Sequence, residues 1–235
     1  MIRSLSVLSA GVLAAGLMGC EMFEGDDDVS VVMTQEAQLA MTPAAALEDL
    51  KAGNARFVED ESSEFDYLAQ AEATASGQYP KAVVLSCLDS RVPVEAVFDQ
   101  GIGDLFVARV AGNIENVDIL GSMEFATELA GTPLIVVLGH SSCGAVKGAI
   151  AEAKMGNLTA LLGEITPAIK ATEVEGEHSV ENAAYVDAVV EANVRKTMRD
   201  LPARSEVLKQ RARMGKLMIV GGVYDLATGQ VHWLD

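Results

Sequence analysis

Residues 82–91 read Ala82-Val83-Val84-Leu85-Ser86-Cys87-Leu88-Asp89-Ser90-Arg91, and this stretch decides the fold. Its first half is an unbroken apolar run, too short for a helix and without the polar alternation of a half-solvated strand. That is the pattern of a strand covered on both faces. Its second half places a thiol, a carboxylate and a guanidinium where such a strand ends. In open parallel sheets, ligands gather outside the carboxyl ends of the strands, so Cys87, Asp89 and Arg91 stand where chemistry is expected.

Working outward, similar runs recur from Asp104 to Val110, from Leu134 to Leu138 and from Leu217 to Val220. Helical patterns lie among them over Gly121–Leu129, Ala145–Lys154 and Val180–Arg199. Upstream, Thr42 is a candidate N-cap and Pro43 suits a first turn, opening a helix over Ala44–Val58, with a weaker one over Glu64–Ala75. Strands alternating with helices predict an α/β fold with a mostly parallel sheet flanked by helices, preceded by an N-terminal helical arm. The segment from Val223 to Trp233, turning at Thr228-Gly229, predicts a C-terminal antiparallel hairpin. Aromatic residues make up only 5% of the 235-residue chain, so the core must be built from aliphatic side chains. A net charge of −17 argues against nucleic acid as a partner and against electrostatic attachment to anionic lipid.

The N-terminus reads differently from the rest. Arg3 precedes an apolar stretch from Leu5 to Leu17, too short to span a bilayer and suited to a secretory signal. It ends in Leu17-Met18-Gly19-Cys20, which resembles the lipobox of bacterial lipoproteins. That resemblance implies a signal peptide over residues 1–19, lipidation of Cys20 and an anchor on the periplasmic side of a bacterial membrane. Glu21 carries no recognised retention cue, which favours the outer membrane. Residues 20–41, with Gly25-Asp26-Asp27-Asp28, are expected to form a flexible acidic tether, and residues 42–235 the catalytic domain.

The third strand runs into His140-Ser141-Ser142-Cys143-Gly144. Two strand ends therefore offer Cys87, His140 and Cys143, and two thiolates with one imidazole match a catalytic zinc site that keeps its fourth position open. His140 and Cys143 are close enough in sequence for a turn opening a helix to aim both at one ion. Cysteine counting alone leaves a Cys87–Cys143 disulfide open, because an oxidising compartment favours it. His178 sits in an acidic stretch and His232 in the terminal strand, and neither is expected to bind metal.

Cys-x-Asp-Ser-Arg at 87–91 followed by His-x-x-Cys-Gly at 140–144 resembles the β-class carbonic anhydrases. Gly53-Asn54-Ala55-Arg56-Phe57, Gly103-Asp104-Leu105-Phe106-Val107, Arg109-Val110-Ala111-Gly112-Asn113, Glu124-Phe125-Ala126 and Tyr224-Asp225 fit the same family in the same order. The resemblance implies Zn2+ on Cys87, His140 and Cys143, and reversible hydration of CO2 to bicarbonate by zinc-bound hydroxide. Zinc lowers the pKa of bound water to about 7, the established behaviour of carbonic anhydrases and not a result of this sequence. It implies Asp89 and Arg91 as the catalytic pair, with Asp89 taking the fourth zinc position only in a closed state favoured at low pH. Spacing alone allows the pair a purely structural role at a strand end. Gln78 would donate a hydrogen bond to substrate, Phe106, Ala111 and Phe125 would line the CO2 pocket, and the Gly144 N–H would approach bound anion. A homodimer or higher even oligomer is implied too. Relatives with a separate inhibitory bicarbonate site carry Trp three residues before the first zinc cysteine; Val84 stands there, so no such site is expected. Hydrolysis of CS2 or COS on the same ligands is an alternative. A non-catalytic zinc-binding lipoprotein is a weaker one, against which the intact Asp89 and Arg91 argue.

Overall fold

The computed structural model describes residues 31–234. The signal peptide and Cys20 lie outside the described residues. Three helices come first: α1 (Gln35–Ala40), α2 (Pro43–Val58) and α3 (Tyr67–Thr74). There follow β1 (Ala82–Ser86), α4 (Val94–Val97), β2 (Leu105–Arg109), a 3-10 turn at Ala111–Asn113, α5 (Val117–Glu124) running into a π-turn at Phe125–Leu129, and β3 (Leu134–His140). The chain closes with α6 (Gly144–Ile150), α7 (Leu158–Gly163), α8 (Thr166–Ala171), α9 (Ala183–Arg204), α10 (Glu206–Arg213), β4 (Met218–Tyr224) and β5 (Val231–Leu234).

The sheet order is β2-β1-β3-β4-β5, parallel throughout except for the antiparallel β4–β5 pair. Every residue of β1 and β3 is buried, as their unbroken apolar runs require of strands covered on both faces. One face packs on α2 and α4 through Leu50, Val84, Phe98, Val136 and Leu138. The other meets α5, α9 and α10 through Leu85, Met123, Val137, Val194 and Leu208. The hairpin turns as expected, with Gly229 at φ 78° and the Asp225 carboxylate accepting from Ala227 and Thr228 N–H.

The folded part begins earlier than expected. Residues 34–41, assigned above to the tether, form α1: Thr34 Oγ1 caps Ala37 N, and buried Gln38 donates to the carbonyls of Pro80 and Ala130. The Gly53–Phe57 motif locks the arm to the body. A Cβ at Gly53 would sit 1.9 Å from Phe98 O, so only glycine lets α2 approach that carbonyl. Asn54 bonds Val97 O, Gly229 O and Val231 N, and Arg56 pairs with buried Asp99. Among the described residues no helix is long and apolar enough to cross a membrane.

Candidate metal centre

Strands β1 and β3 lie side by side in register, Ser86 opposite Leu138. Cys87, just after β1, and His140, the last residue of β3, therefore emerge at the same carboxyl edge of the sheet. Cys143 caps α6 after a sharp turn in which Ser142 takes φ 55°. The end of β4 pins that turn, for Ser141 N donates to Tyr224 O and Ser141 Oγ accepts from Leu226 N. The result is three buried donor atoms all within 4.8 Å of one another. Among the described residues no other such group comes together.

The donor set fits zinc. Two sulfurs on a tetrahedral zinc ion, each at about 2.3 Å, would stand about 3.8 Å apart; here Cys87 Sγ and Cys143 Sγ are separated by 4.0 Å. Both cysteines are free, so the disulfide alternative does not hold. His140 Nδ1 lies 3.0 Å from Ser141 O. A carbonyl only accepts, which assigns the proton to Nδ1 and leaves the Nε2 lone pair open. That Nε2 is buried without a hydrogen-bond partner, a costly state unless a cation meets it.

The two sulfurs lie within hydrogen-bonding reach of each other. A hydrogen bond from the Cys143 thiol, reinforced by the backbone N–H of Gly112 and opposed by burial, pulls the Cys87 thiol down to about 4. The bond it donates to Cys87, burial and the adjacent thiolate charge push Cys143 far up. Beside them, Arg91 grips Asp89 with Nε on Oδ1 at 2.9 Å, Nη2 on Oδ2 at 2.8 Å and its own N–H on Oδ1 at 3.0 Å. The side-chain hydrogen bonds from Arg91 hold the Asp89 carboxyl well below the usual carboxylate range. Asp89 Oδ2 nevertheless approaches His140 Nε2 to 3.8 Å, so this carboxylate borders the cluster while Arg91 holds it. Arg109 opens the Arg109–Asn113 motif. Its guanidinium donates to the carbonyls of Cys87 and Asp89 and fixes the turn between them.

Comparison with known proteins bears on the same residues. The family profile described as Carbonic anhydrase matches residues 82–231. The chain is 39% identical over 198 residues to "Carbonic anhydrase 2" of Mycobacterium tuberculosis (strain CDC 1551 / Oshkosh), covering 82% of this chain and 93% of that one. The chain belongs to the β-class carbonic anhydrase family. Among solved structures, the β-carbonic anhydrase CcaA matches with TM-score 0.64 and 26% identity, over 80% of this chain and 95% of that one. A structure from work titled as describing two tetrameric β-carbonic anhydrases of the filamentous ascomycete Sordaria macrospora shares the fold, with TM-score 0.63 and 21% identity over 81% and 95% of the two chains.

Not every residue expected in a carbonic anhydrase pocket gathers in one place. Ala111 sits beside Gly112, whose N–H touches Cys87 Sγ, and Gly144 opens α6 directly after Cys143. Phe106 and Phe125 meet edge to face at 6.2 Å in a groove along β2, shared with Val117, Ile119 and Arg109. None of the three metal-capable residues lines that groove. Gln78 is exposed beyond the amino end of β1, beside Thr74 and Gly103. Eight residues lie between it and Cys87, among them the five of β1, a strand that spans roughly 16 Å at the usual rise. Within one chain Gln78 cannot reach the cluster. His178 stacks on Tyr185 and His232 is exposed on β5, neither joining the metal-capable group.

Proposed function

We propose that this chain hydrates carbon dioxide reversibly to bicarbonate, using a zinc ion held by Cys87 Sγ, His140 Nε2 and Cys143 Sγ. The observation that carries the reading is the convergence of those three atoms within 4.8 Å, next to a carboxylate restrained by Arg91. When bound, zinc supplies the Lewis acidity that makes water a nucleophile at neutral pH. The residues around it do the rest. Asp89, kept ionised by Arg91, accepts a hydrogen bond from the attacking oxygen and orients it. Ala111 offers the apolar wall that an uncharged, nonpolar substrate needs, and the Gly144 N–H faces the product anion.

The reading includes a second copy of the chain. Gln78 can serve only a site in another subunit, and Phe106 and Phe125 complete a CO2 pocket only where their groove meets one. Strand β2 is an edge of the sheet, and around it Val117, Phe125 and Leu129 are 75%, 53% and 76% exposed. An unpaired edge flanked by such apolar side chains calls for a cover, and we assign it to a homodimer or an even multiple of one. We also propose export with a lipid on Cys20, which tethers the enzyme to the periplasmic side of a bacterial membrane, the outer one favoured. The Leu17–Cys20 sequence supports this part.

Metal analysis beside a CO2-hydration assay tests the core of the proposal, on a soluble form beginning after Asp28. Stoichiometric zinc and a rate abolished by Cys143→Ser are expected. Active protein without zinc would refute it. Incorporation of labelled palmitate, lost in Cys20→Ala, tests the anchor.

A further inference from the structure

The buried side of α9 near the metal-capable cluster is mostly valine, joined by Tyr185 and, further along, by Asn193 and Thr197. Val186, Val189, Val190 and Val194 are all buried, the first three packed in the same cluster as Cys87 and Cys143. Asn193 lies among them, 1% exposed. A buried amide in such a stripe is unfavourable unless it is bonded. Asn193 Nδ2 donates to Gly112 O at 2.8 Å, while its Oδ1 is left without a partner. The Gly112 N–H in turn lies 3.3 Å from Cys87 Sγ.

Gly112 itself needs holding. It sits at φ 72° and ψ 19°, and a Cβ there would come within 2.7 Å of Ile165 Cδ1 and 3.3 Å of Ala145 Cβ. Glycine is therefore required, and glycine has the freest backbone of any residue. The direction of its N–H is set by what anchors the next peptide, and Asn193 anchors it. Thr197, one turn further along α9, donates to Asn113 O at 3.3 Å and holds the loop one residue later. Hydrogen bonds to a ligand sulfur tune how strongly it donates to a metal.

We propose that Asn193 is a positioning residue for the metal centre. Through the Gly112 carbonyl it aims the Gly112 N–H at the Cys87 sulfur, and so sets the zinc affinity and donor strength of that ligand. The inference rests on the zinc reading above.

The test uses Asn193→Leu, similar in size and apolar, and Asn193→Ser, too short to reach Gly112 O, with Thr197→Val as a comparison. Zinc affinity is measured by competition with a chromophoric chelator. Cobalt-loaded protein reports the sulfur-to-metal charge-transfer band. Both Asn193 variants are expected to bind zinc about 10- to 100-fold more weakly and to shift the band, while Thr197→Val leaves the band in place and costs only thermal stability. Asn193 variants that melt earlier with unchanged affinity and band would show a packing role and overturn the inference. Should Asn193→Leu fail to fold, the milder Asn193→Ser decides. Wild-type protein that takes up neither metal would remove the zinc reading, and this inference with it.

Discussion

Asn54→Leu should destabilise the protein while leaving the metal centre intact. The Asn54 side chain is 5% exposed and makes three hydrogen bonds, all to backbone: Nδ2 to Val97 O at 3.0 Å and Gly229 O at 2.9 Å, Oδ1 from Val231 N at 2.8 Å. One side chain thereby joins α2 to the end of α4 and to the C-terminal hairpin. Leucine keeps the volume, so no large cavity opens. Losing three buried bonds at about 1–1.5 kcal/mol each, offset by about 1 kcal/mol from the added apolar surface, leaves a net loss of about 2–4 kcal/mol. For a chain of this length each kcal/mol moves the melting temperature by about 2–4 °C, so a fall of about 5–15 °C is expected. Circular dichroism melts should be run at fixed protein concentration with zinc saturating, because bound ligand and partner both raise the midpoint. A shift under about 2 °C would mean the bonds are replaced by water and the lock is not there. Loss of zinc from folded Asn54→Leu at low temperature would refute the separation of lock and site.

Arg91→Met releases the Asp89 carboxylate, and CO2 hydration at pH 8 should fall at least tenfold with zinc content unchanged; an unaltered rate would reduce the pair to a structural contact. The depressed folded-state pKa of Asp89 adds stability that is present above the ordinary carboxylate pKa of about 3.9 and lost as pH falls through the folded value. The stability gap between metal-free wild type and Asp89→Asn should therefore narrow on acidification, and urea titrations at several pH values check the sign. Stripping zinc with a chelator should abolish activity and expose Cys87 and Cys143, 4.0 Å apart, to disulfide formation by a mild oxidant; thiol titration should then find both protected when zinc is restored first. Gly112→Ala forces a Cβ against Ile165 and Ala145 at positive φ, so it should cost about 2–4 kcal/mol and weaken zinc binding; a wild-type melting curve would contradict that packing.

Strands β1 and β3 were readable because a strand buried on both faces needs a continuous apolar run. Even so, β3 continues two residues past the run, to His140. Gly139 breaks the apolar pattern, yet a Cβ there would lie 2.6 Å from Val194 Cγ2, so the glycine belongs to the strand and admits α9. The helices were harder. Neither α7 nor α8 has a side-chain cap, so only Asn157 before α7 and Pro167 in the first turn of α8 mark their starts. Helix α9 was expected to stop at Arg199 but carries Pro202 in its last turn and runs to Arg204, whose guanidinium reaches buried Glu115. Helix α1 was lost in an acidic leader because one buried glutamine, not an apolar face, ties it down.

The metal centre divides along a chemical line. Its candidate ligands could be named in advance because thiols and imidazoles are uncommon at strand ends and their chemistry is written in the residue type. What holds them is mostly backbone: the Gly112 N–H on Cys87, the Cys87 and Asp89 carbonyls on Arg109, the Tyr224 carbonyl on Ser141. Every residue has the carbonyl and every residue but proline the N–H, so their use leaves no mark at the position that provides them. The mark falls on the side chain at the other end of the bond, where the residue type departs from its surroundings, as a glycine in a crowded turn or an asparagine in a valine stripe. Asn193 is such a departure, and the stripe of Val186, Val189, Val190 and Val194 makes it visible in the sequence once the helix is phased by the side it buries. Gln78 carries no comparable mark, exposed as it is beyond the amino end of β1 and away from the cluster.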